Sequence, residues 1–356
     1  MSKALDLLFF FGRPLSPIYG ALMKSREKLY NKGIFRQQSL PVPVISIGNL
    51  VLGGTGKTPT VRYVARLVKS QGYHPAIVSR GYHGGAKEAV NIVSDGKDIC
   101  LSAALAGDEP YMLASSLPGI PVLTGKHRIF PCRHAIDQFK CDVIILDDGF
   151  QHLTVKRDVD LVLFDSTILA GSSRIFPGGP LREPTSALNR CHGFLLTGTT
   201  QTNKERAERF SNLLQQRFPK QPVFKSFEAS YKLVTADGGL AEKNASKIFF
   251  GFCGIASPAR FENSLVSNEL QLAGFQAIRD HAAYSQALVS ELCAKAAQLG
   301  ADSLVTTEKD HVKLQNFTTT LPLHILLPEY RVDQTFDLFL LHSLNNSRKL
   351  QVSDRT

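Results

Sequence analysis

The residues Gly53-Gly-Thr-Gly-Lys-Thr58 stand between an apolar, β-branched run and a stretch with helical periodicity. Gly53, Gly54 and Gly56 are expected to let consecutive backbone amides turn inward around phosphate oxygens, where a Cβ would obstruct them. In a loop of this kind, completed by Thr55, the Lys57 ammonium reaches the β- and γ-phosphates and the Thr58 hydroxyl coordinates Mg²⁺. The strict pattern G-x-x-x-x-G-K-[ST] also asks for a glycine where this chain has Val51. The loop therefore points to phosphate chemistry and leaves the phosphate acceptor open.

Three further groups of residues carry chemistry. Cys141-Asp-Val-Ile-Ile-Leu-Asp-Asp148 is an apolar strand ending in two carboxylates. Downstream of a phosphate loop, Asp147 and Asp148 are suited to hold Mg²⁺ or its water shell, and Gly149-Phe-Gln-His152 adds an imidazole that reads equally well as structural. In Ala106-Gly-Asp-Glu-Pro110, Asp108 is an N-cap candidate with Glu109 and Pro110 in the first helical turn. The same carboxylate, near a triphosphate, is placed to take the proton of an attacking hydroxyl. Arg80, Arg128 and Arg182 recur at strand or loop ends, where guanidinium groups suit phosphate and transition-state charge. Taken singly each reads as a surface or salt-bridge residue. Arg182 and Glu183 stand out because they follow a Pro-Gly-Gly-Pro segment, which suggests an ordered loop.

The elements that must position these residues alternate. Strands are expected at 42–48, 76–79, 121–124, 143–146 and 161–164, with helices at 60–69, 109–116 and 130–139. Such alternation implies an α/β fold of the P-loop NTPase type, its mainly parallel sheet covered by helices on both faces, with ligands at the strand carboxyl ends. A polar helix over 199–218 and a break at Pro219-Lys-Gln-Pro222 precede a second, smaller α/β lobe. That lobe has strands at 248–253 and 303–306, helices at 258–272 and 284–299, and a frayed end from about Ser347. The expected organisation is 1–36 as an N-terminal segment, 37–222 as the phosphate-binding domain and 223–356 as a smaller lobe closing over the site.

At 356 residues the chain exceeds what one core usually serves, and its 43% apolar, 20% charged composition is that of a folded protein. Forty-one Lys and Arg against 31 Asp and Glu give a formal charge of +10, which favours an anionic partner. Half of that surplus lies in residues 1–36, with Lys3, Arg13, Lys24, Arg26, Lys28, Lys32 and Arg36 against Asp6 and Glu27. The six cysteines are scattered without a C-x-x-C pair, so neither a zinc site nor a disulfide framework is expected, and a reducing cytoplasm is the simplest home.

The first residues, Ala4 to Phe11, are apolar but interrupted by Asp6 and far short of the ~20 residues that span a bilayer. With Ile18 to Met23 and the basic flank they read as two short helical pieces suited to a membrane interface, or as a helix packed on its own domain. Nucleic acid is not expected as a partner, because the basic residues are interleaved with apolar rather than aromatic stacking residues.

Taken together, S-I-G-N-L-x-x-G-G-T-G-K-T-P, S-R-G-Y, G-D-E-P, G-x-x-R, D-D-G-F-Q-H, F-P-x-G-P-L-R-E-P, G-I-A-x-P-x-R-F and T-T-E-K-D resemble, in identity and order, the tetraacyldisaccharide 4′-kinase family. The resemblance covers about residues 15–314. It implies transfer of the ATP γ-phosphate to the 4′-hydroxyl of an acylated glucosamine disaccharide 1-phosphate in lipid A synthesis. The protein would be peripheral on the cytoplasmic face of the bacterial inner membrane, and a monomer is expected. The resemblance also implies Asp108 as catalytic base with His281 as its partner from the other lobe, and Asp147, Asp148 and His152 near the metal and triphosphate. Glu109, Arg128, Arg182 and Glu183 match further active-site positions. The family commonly carries two adjacent histidines where this chain has His281-Ala282. The rival readings are a regulatory ATPase switch of the partition or signal-recognition class, which shares the glycine loop, and a dethiobiotin-synthetase-like ligase.

Overall fold

The computed structural model describes residues 3–82, 84–241, 247–255, 257–280 and 282–353. Its strands are β1 (Val44–Asn49), β2 (Pro75–Ser79), β3 (Asn91–Ser94), β4 (Val122–Thr124), β5 (Val143–Asp147), β6 (Val159–Asp165), β7 (Gly193–Thr199), β8 (Val223–Thr235), β9 (Ile248–Cys253), β10 (Gln271–Ala277), β11 (Ser303–Thr306) and β12 (Leu323–Val332). The helices are α1 (Lys3–Gly12), α2 (Ser16–Asn31), α3 (Lys57–Ser70), α4 (Ala103–Ala106), α5 (Asp108–Ser116), α6 (Ile129–Phe139), α7 (Lys204–Arg217), α8 (Pro258–Ser267), α9 (Gln286–Gln298), α10 (Glu308–Leu314) and α11 (Gln334–Ser353).

Side chains on successive strand residues point to opposite faces, and both faces here are apolar. Ile45 and Ile47 of β1, Val143 and Ile145 of β5 and Leu161 and Leu163 of β6 enter one core with Val61, Val64, Ala65 and Val68 of α3. The alternate residues Val44, Ile144 and Leu146 enter a second core with Ile129, Cys132 and Ala135 of α6. A strand buried on both sides belongs inside a parallel sheet covered by helices. All strands join one sheet in the order β10-β9-β11-β12-β8-β7-β6-β1-β5-β2-β4-β3.

The sheet consists of two parallel blocks, β10-β9-β11-β12 and β8-β7-β6-β1-β5-β2-β4, with β3 antiparallel at one edge. They are joined by the antiparallel ribbon of β8 and β12, which pairs Ser226 with Val332 at one end and Thr235 with His324 at the other. β7 attaches to the start of β8, at Val223 to Phe227, whereas β11 attaches to the start of β12, at Leu323 to Ile325. The blocks thus sit at opposite ends of the ribbon and run towards each other. Carboxyl ends of strands from both blocks face one cleft, across which α5 meets α10.

Several sequence expectations are revised. The helix expected over 258–272 stops at Ser267 and Leu272 belongs to β10, because Glu269, at φ +61°, turns the chain between them. The end expected to fray from Ser347 is helical to Ser353. Although α11 follows the smaller lobe in sequence, Phe336, Leu340 and Leu344 return to the core shared by β1, β5, β6 and α3. Phe336 stacks edge-on with Phe224 of β8.

Removing this ring by Phe336→Ala should destabilise the protein by about 3–5 kcal/mol, the usual cost of emptying a fully buried Phe site. Urea denaturation would show it; a loss below ~1 kcal/mol would mean that α11 does not belong to the first core.

Candidate active site

The glycine loop begins where β1 leaves the sheet. Gly48 lies against Phe150, and a Cβ there would come within 2.6 Å of the Phe150 Cβ. The buried Asn49 amide donates to the carbonyls of Val51 and Gly53. Val51 is itself buried and bridges antiparallel to Leu181. The Leu52 amide donates to Pro180 O at 2.7 Å and the Arg182 amide to Leu50 O at 2.8 Å. Val51 is therefore an isolated bridge residue packed in the core, and a glycine there would lose that packing.

The turn begins two residues later, with Gly53 at φ +117° and Gly56 at φ +71°, conformations that glycine adopts without strain. The Thr197 hydroxyl at the end of β7 donates to Thr55 O at 3.0 Å, and a Cβ on Gly56 would meet that side chain. Gly54 differs from the other two in its surroundings within the chain. It is exposed, it lies outside the left-handed region that Gly53 and Gly56 occupy, and a Cβ on it would meet no atom of the chain within 4 Å. The protein's own packing therefore requires glycine at 56 and its backbone requires it at 53 and 56, but neither requires it at Gly54.

Lys57 opens α3 and its Nζ donates to Asn49 Oδ1 at 3.3 Å while lying 3.6 Å from Asp148 Oδ1. Arg182 Nη1 donates to both Asp148 oxygens, at 3.0 and 2.9 Å. Asp148 adopts φ +53°, a left-handed turn that an Asp tolerates directly after β5. Burial alone would raise its carboxyl, but Lys57 and Arg182 together outweigh burial and hold it below the ordinary range. Asp147 points the other way electrostatically: burial first, then Glu109, raises it to about 7. Its Oδ1 has no hydrogen-bond partner among the described residues. Thr58 is buried at the start of α3.

Arg128, at the start of α6, is buried, and burial together with the nearby Arg80 lowers its guanidinium against the pull of Asp148 and Asp147. Its Nη1 lies 3.5 Å from His152 Nδ1; arginine only donates, so Nδ1 accepts and the ring proton sits on Nε2. Burial, reinforced by Arg128 and Arg157, drives His152 down to about 3, so the ring is neutral at neutral pH. Arg80, exposed beyond β2, lies over the Tyr82 ring.

Asp108 is the first residue of α5, and the N-cap is Gly107 rather than Asp108. Gly107 has φ +90° and a Cβ there would strike Tyr82 O at 2.5 Å, so the close approach of the two loops reserves the cap for glycine. The Asp108 Oδ2 pairs with Lys313 Nζ of α10 at 3.3 Å. Arg62 of α3 pairs with Glu308 at 2.8 Å, also across the cleft. His281 lies outside the described residues; Asp280 before it pairs with Lys309 at 3.6 Å.

Glu183 is bound into a different group from Lys57 and Asp148. Its buried carboxylate pairs with Arg190 at 2.8 Å, and Arg190 also reaches Glu27 of α2 at 3.1 Å and lies 3.9 Å over the Phe150 ring. Burial raises the Glu183 carboxyl despite Arg190. This pair fastens α2 to the loop that carries Arg182. Tyr19 of α2 donates to Arg182 O at 3.1 Å, and Ser16 Oγ donates to Ile175 O at 2.9 Å while accepting from the Gly178 amide at 2.8 Å. Arg26 donates to Gln151 O at 3.1 Å. No sequence signal marks Tyr19, Arg26, Arg190 or Lys313, since each acts on a partner far away in the chain. Phe9 is buried, whereas Leu7, Leu8, Phe10, Phe11, Leu15, Ile18 and Leu22 face outward. Among the described residues no helix is long and apolar enough to cross a membrane.

A mainly parallel sheet that delivers a glycine loop, an acid pair and arginines from its strand ends to one cleft defines an α/β enzyme with an anion-directed site. The chain belongs to the tetraacyldisaccharide 4′-kinase family: residues 8–345 match the LpxK family, described as tetraacyldisaccharide-1-P 4′-kinase. It is 46% identical over 336 residues to the tetraacyldisaccharide 4′-kinase of Desulfotalea psychrophila, covering 94% of this chain and 97% of that protein. It is 39% identical to the kinase of the same name from Syntrophus aciditrophicus, covering 90% of this chain and 89% of the relative. Among solved structures, LpxK from Aquifex aeolicus, described as in complex with ATP, superposes with a TM-score of 0.74 at 28% identity, covering 93% of this chain and 98% of that one.

The buried Asp147 gives a pH signature. Its carboxyl titrates near 7 folded against an ordinary 3.8, so the folded state keeps a proton that the unfolded state has released. Stability therefore falls as pH rises through that window and stays reduced above it. Asp147→Asn removes this cost, and the variant should melt above the parent at pH 8, with the gap closing as the pH falls towards about 4. Parallel melting curves across this range would show that Asp147 is not a buried, proton-holding group.

Proposed function

We propose that this chain transfers the γ-phosphate of ATP to the 4′-hydroxyl of a tetraacylated glucosamine disaccharide 1-phosphate, at the cytoplasmic face of the bacterial inner membrane. The observation that carries the reading is Lys57, set by the glycine loop between Asn49 and an Asp148 that is also held by Arg182. Family membership supplies the acceptor. The Gly53–Thr58 segment acts as the P-loop, its amides and Lys57 receiving the triphosphate, with Arg80, Arg128 and Arg182 adding charge around it. In that role Gly54 has a reason that the chain's own packing does not supply: a bare backbone lets phosphate oxygens approach its amide.

Mg²⁺ fits the donors present. Asp147 offers a buried oxygen without a partner, Asp148 a second carboxylate and Thr58 a hydroxyl at the loop. No cluster of three or more His, Cys, Asp or Glu able to hold an ion occurs among the described residues. That suits an ion held largely by phosphate and water. When bound, it would neutralise charge on the phosphate oxygens. Glu109 adds to the negative field at Asp147, and the neutral His152 adds a ring N–H beside Arg128. Asp108, at a helix start facing the cleft, takes the proton of the acceptor hydroxyl with His281 assisting. Closure of the smaller lobe over ATP would exclude water from the reaction. Glu183 contributes through Arg190, by fixing the Arg182 loop to α2.

The outward apolar residues of α1 and α2, flanked by basic side chains, suit an interfacial segment. An acceptor with several acyl chains leaves the bilayer at a cost of ~0.8 kcal/mol per exposed CH₂, so the enzyme must go to the membrane.

Incubation with ATP, Mg²⁺ and the dephospho acceptor should give one added phosphate by mass spectrometry. Asp108→Ala should abolish transfer while nucleotide binding persists. Failure with several acyl variants would favour a regulatory ATPase, and wild-type turnover by Asp108→Ala would remove it as base. Changing Phe10 and Phe11 together to Asp should weaken co-sedimentation with anionic vesicles by at least about tenfold; unchanged pelleting of the folded variant would refute the interfacial role.

A further inference from the structure

We infer that Lys313 is a positioning residue for phosphate transfer, holding the Asp108 carboxylate in the cleft from the opposite lobe; the inference rests on the proposed role of Asp108 as base. Asp108 sits in the first turn of α5 and is partly open to the cleft, so its side chain is not fixed by packing. The Lys313 side chain is only 11% exposed, and its ammonium lies 3.3 Å from Asp108 Oδ2. An ammonium engaging one carboxylate oxygen limits rotation of the group and leaves Oδ1 to receive a proton.

The helix that carries Lys313 is tied down in both lobes. Thr307 caps α10 by accepting from the Asp310 amide at 3.2 Å, and the fully buried Asp310 carboxylate accepts from Thr307 Oγ1 at 2.7 Å and from the Gly254 amide at 3.0 Å. Across the cleft, Arg62 pairs with Glu308, and Tyr111, one turn after Asp108 on α5, donates to Gln315 Oε1 at 2.8 Å. Lys309, one turn before Lys313 and therefore on the same face, pairs with Asp280 at 3.6 Å. A single short helix thus fixes the distance between Asp108 and Asp280, the residue that precedes His281 in the chain.

In the step this serves, the acceptor hydroxyl oxygen bonds to the γ-phosphorus as the bond from that phosphorus to the β,γ-bridging oxygen breaks. The electron pair leaves with ADP and the hydroxyl proton passes to Asp108. A carboxylate misplaced by an ångström costs on the order of a hundredfold in such a transfer. Lys313 acts through Asp108 rather than on the phosphates, whereas the Arg62–Glu308 pair already supplies a latch between the lobes.

The test compares Lys313→Met, Lys313→Arg, Glu308→Gln and Asp108→Asn in the full chain, with melting curves to verify folding. Lys313→Met should lower kcat by about tenfold or more with KM for ATP within about twofold of the parent. Lys313→Arg should recover most of the rate, and Glu308→Gln should cost less than Lys313→Met. Should Lys313→Met fail to fold, Lys313→Gln replaces it, with the same order expected. The inference is overturned if Asp108→Asn is inactive while Lys313→Met turns over like the parent, loses activity only through KM for ATP, or is not rescued by Arg. Parental turnover by Asp108→Asn would instead sink the base reading itself.

Discussion

The register of the β8–β12 ribbon is the constraint on which the site depends. Parallel strands place their functional residues at one edge, so two parallel blocks laid side by side in the same direction would share one edge and enclose nothing. Here the ribbon is antiparallel and long, and each block is attached at a different end of it. The carboxyl edges therefore confront each other. Asn49, Asp147 and Thr197 approach from one block, while Gly254 and Thr307 follow the strand ends of the other. Slipping the ribbon by one residue would invert the faces of β8 or β12 and expose Phe224 or Leu326. Core packing thus fixes the geometry of the cleft.

Within the cleft, burial acts on both acids of the pair, and their neighbours decide the charge of each. Asp147 and Asp148 are adjacent in sequence, yet burial and Glu109 favour the protonated form of one while Lys57 and Arg182 favour the ionised form of the other. Neighbouring acids with separated proton affinities avoid the repulsion of two buried charges in one place. The same logic keeps His152 neutral beside Arg128, since a second cation there would be uncompensated. The site thus combines a neutral imidazole, a carboxyl raised by burial and a carboxylate held ionised by two cations.

Much of this pattern was legible because its signals are local. The β1-loop-α3 unit needs only a β-branched run, glycines and a helical period, and strands β9 and β11 were bounded at the residues observed. What escaped was long-range. Val51 departs from a phosphate-loop pattern on paper, and the structure bridges it to Leu181 and buries it in the core. Three glycines read alike in a row of letters, but only the folded loop separates Gly54, with open space around it, from Gly56 against Thr197. β12 contains Pro328, Glu329 and Arg331, which argue against a strand locally, and is held in place by β8. The motif T-T-E-K-D was visible, but no spacing links Lys313, beyond its end, to Asp108. Likewise the return of α11 to the first core depends on which apolar surface was left uncovered, and that is decided only once the sheet exists.

The fastening of α2 to the Phe176–Glu183 loop has a consequence for the economy of the whole molecule. Ser16, Tyr19 and Glu27 face inward to that loop and to Arg190, while Ile18 and Leu22 of the same helix face outward. One side of this helix is open, and the other is bonded to the backbone of the loop that carries Arg182. A shortened chain that begins after α2 would lose Ser16, Tyr19 and Glu27 together, and with them the partners that the Gly178 amide, the Arg182 carbonyl and Arg190 have on this helix.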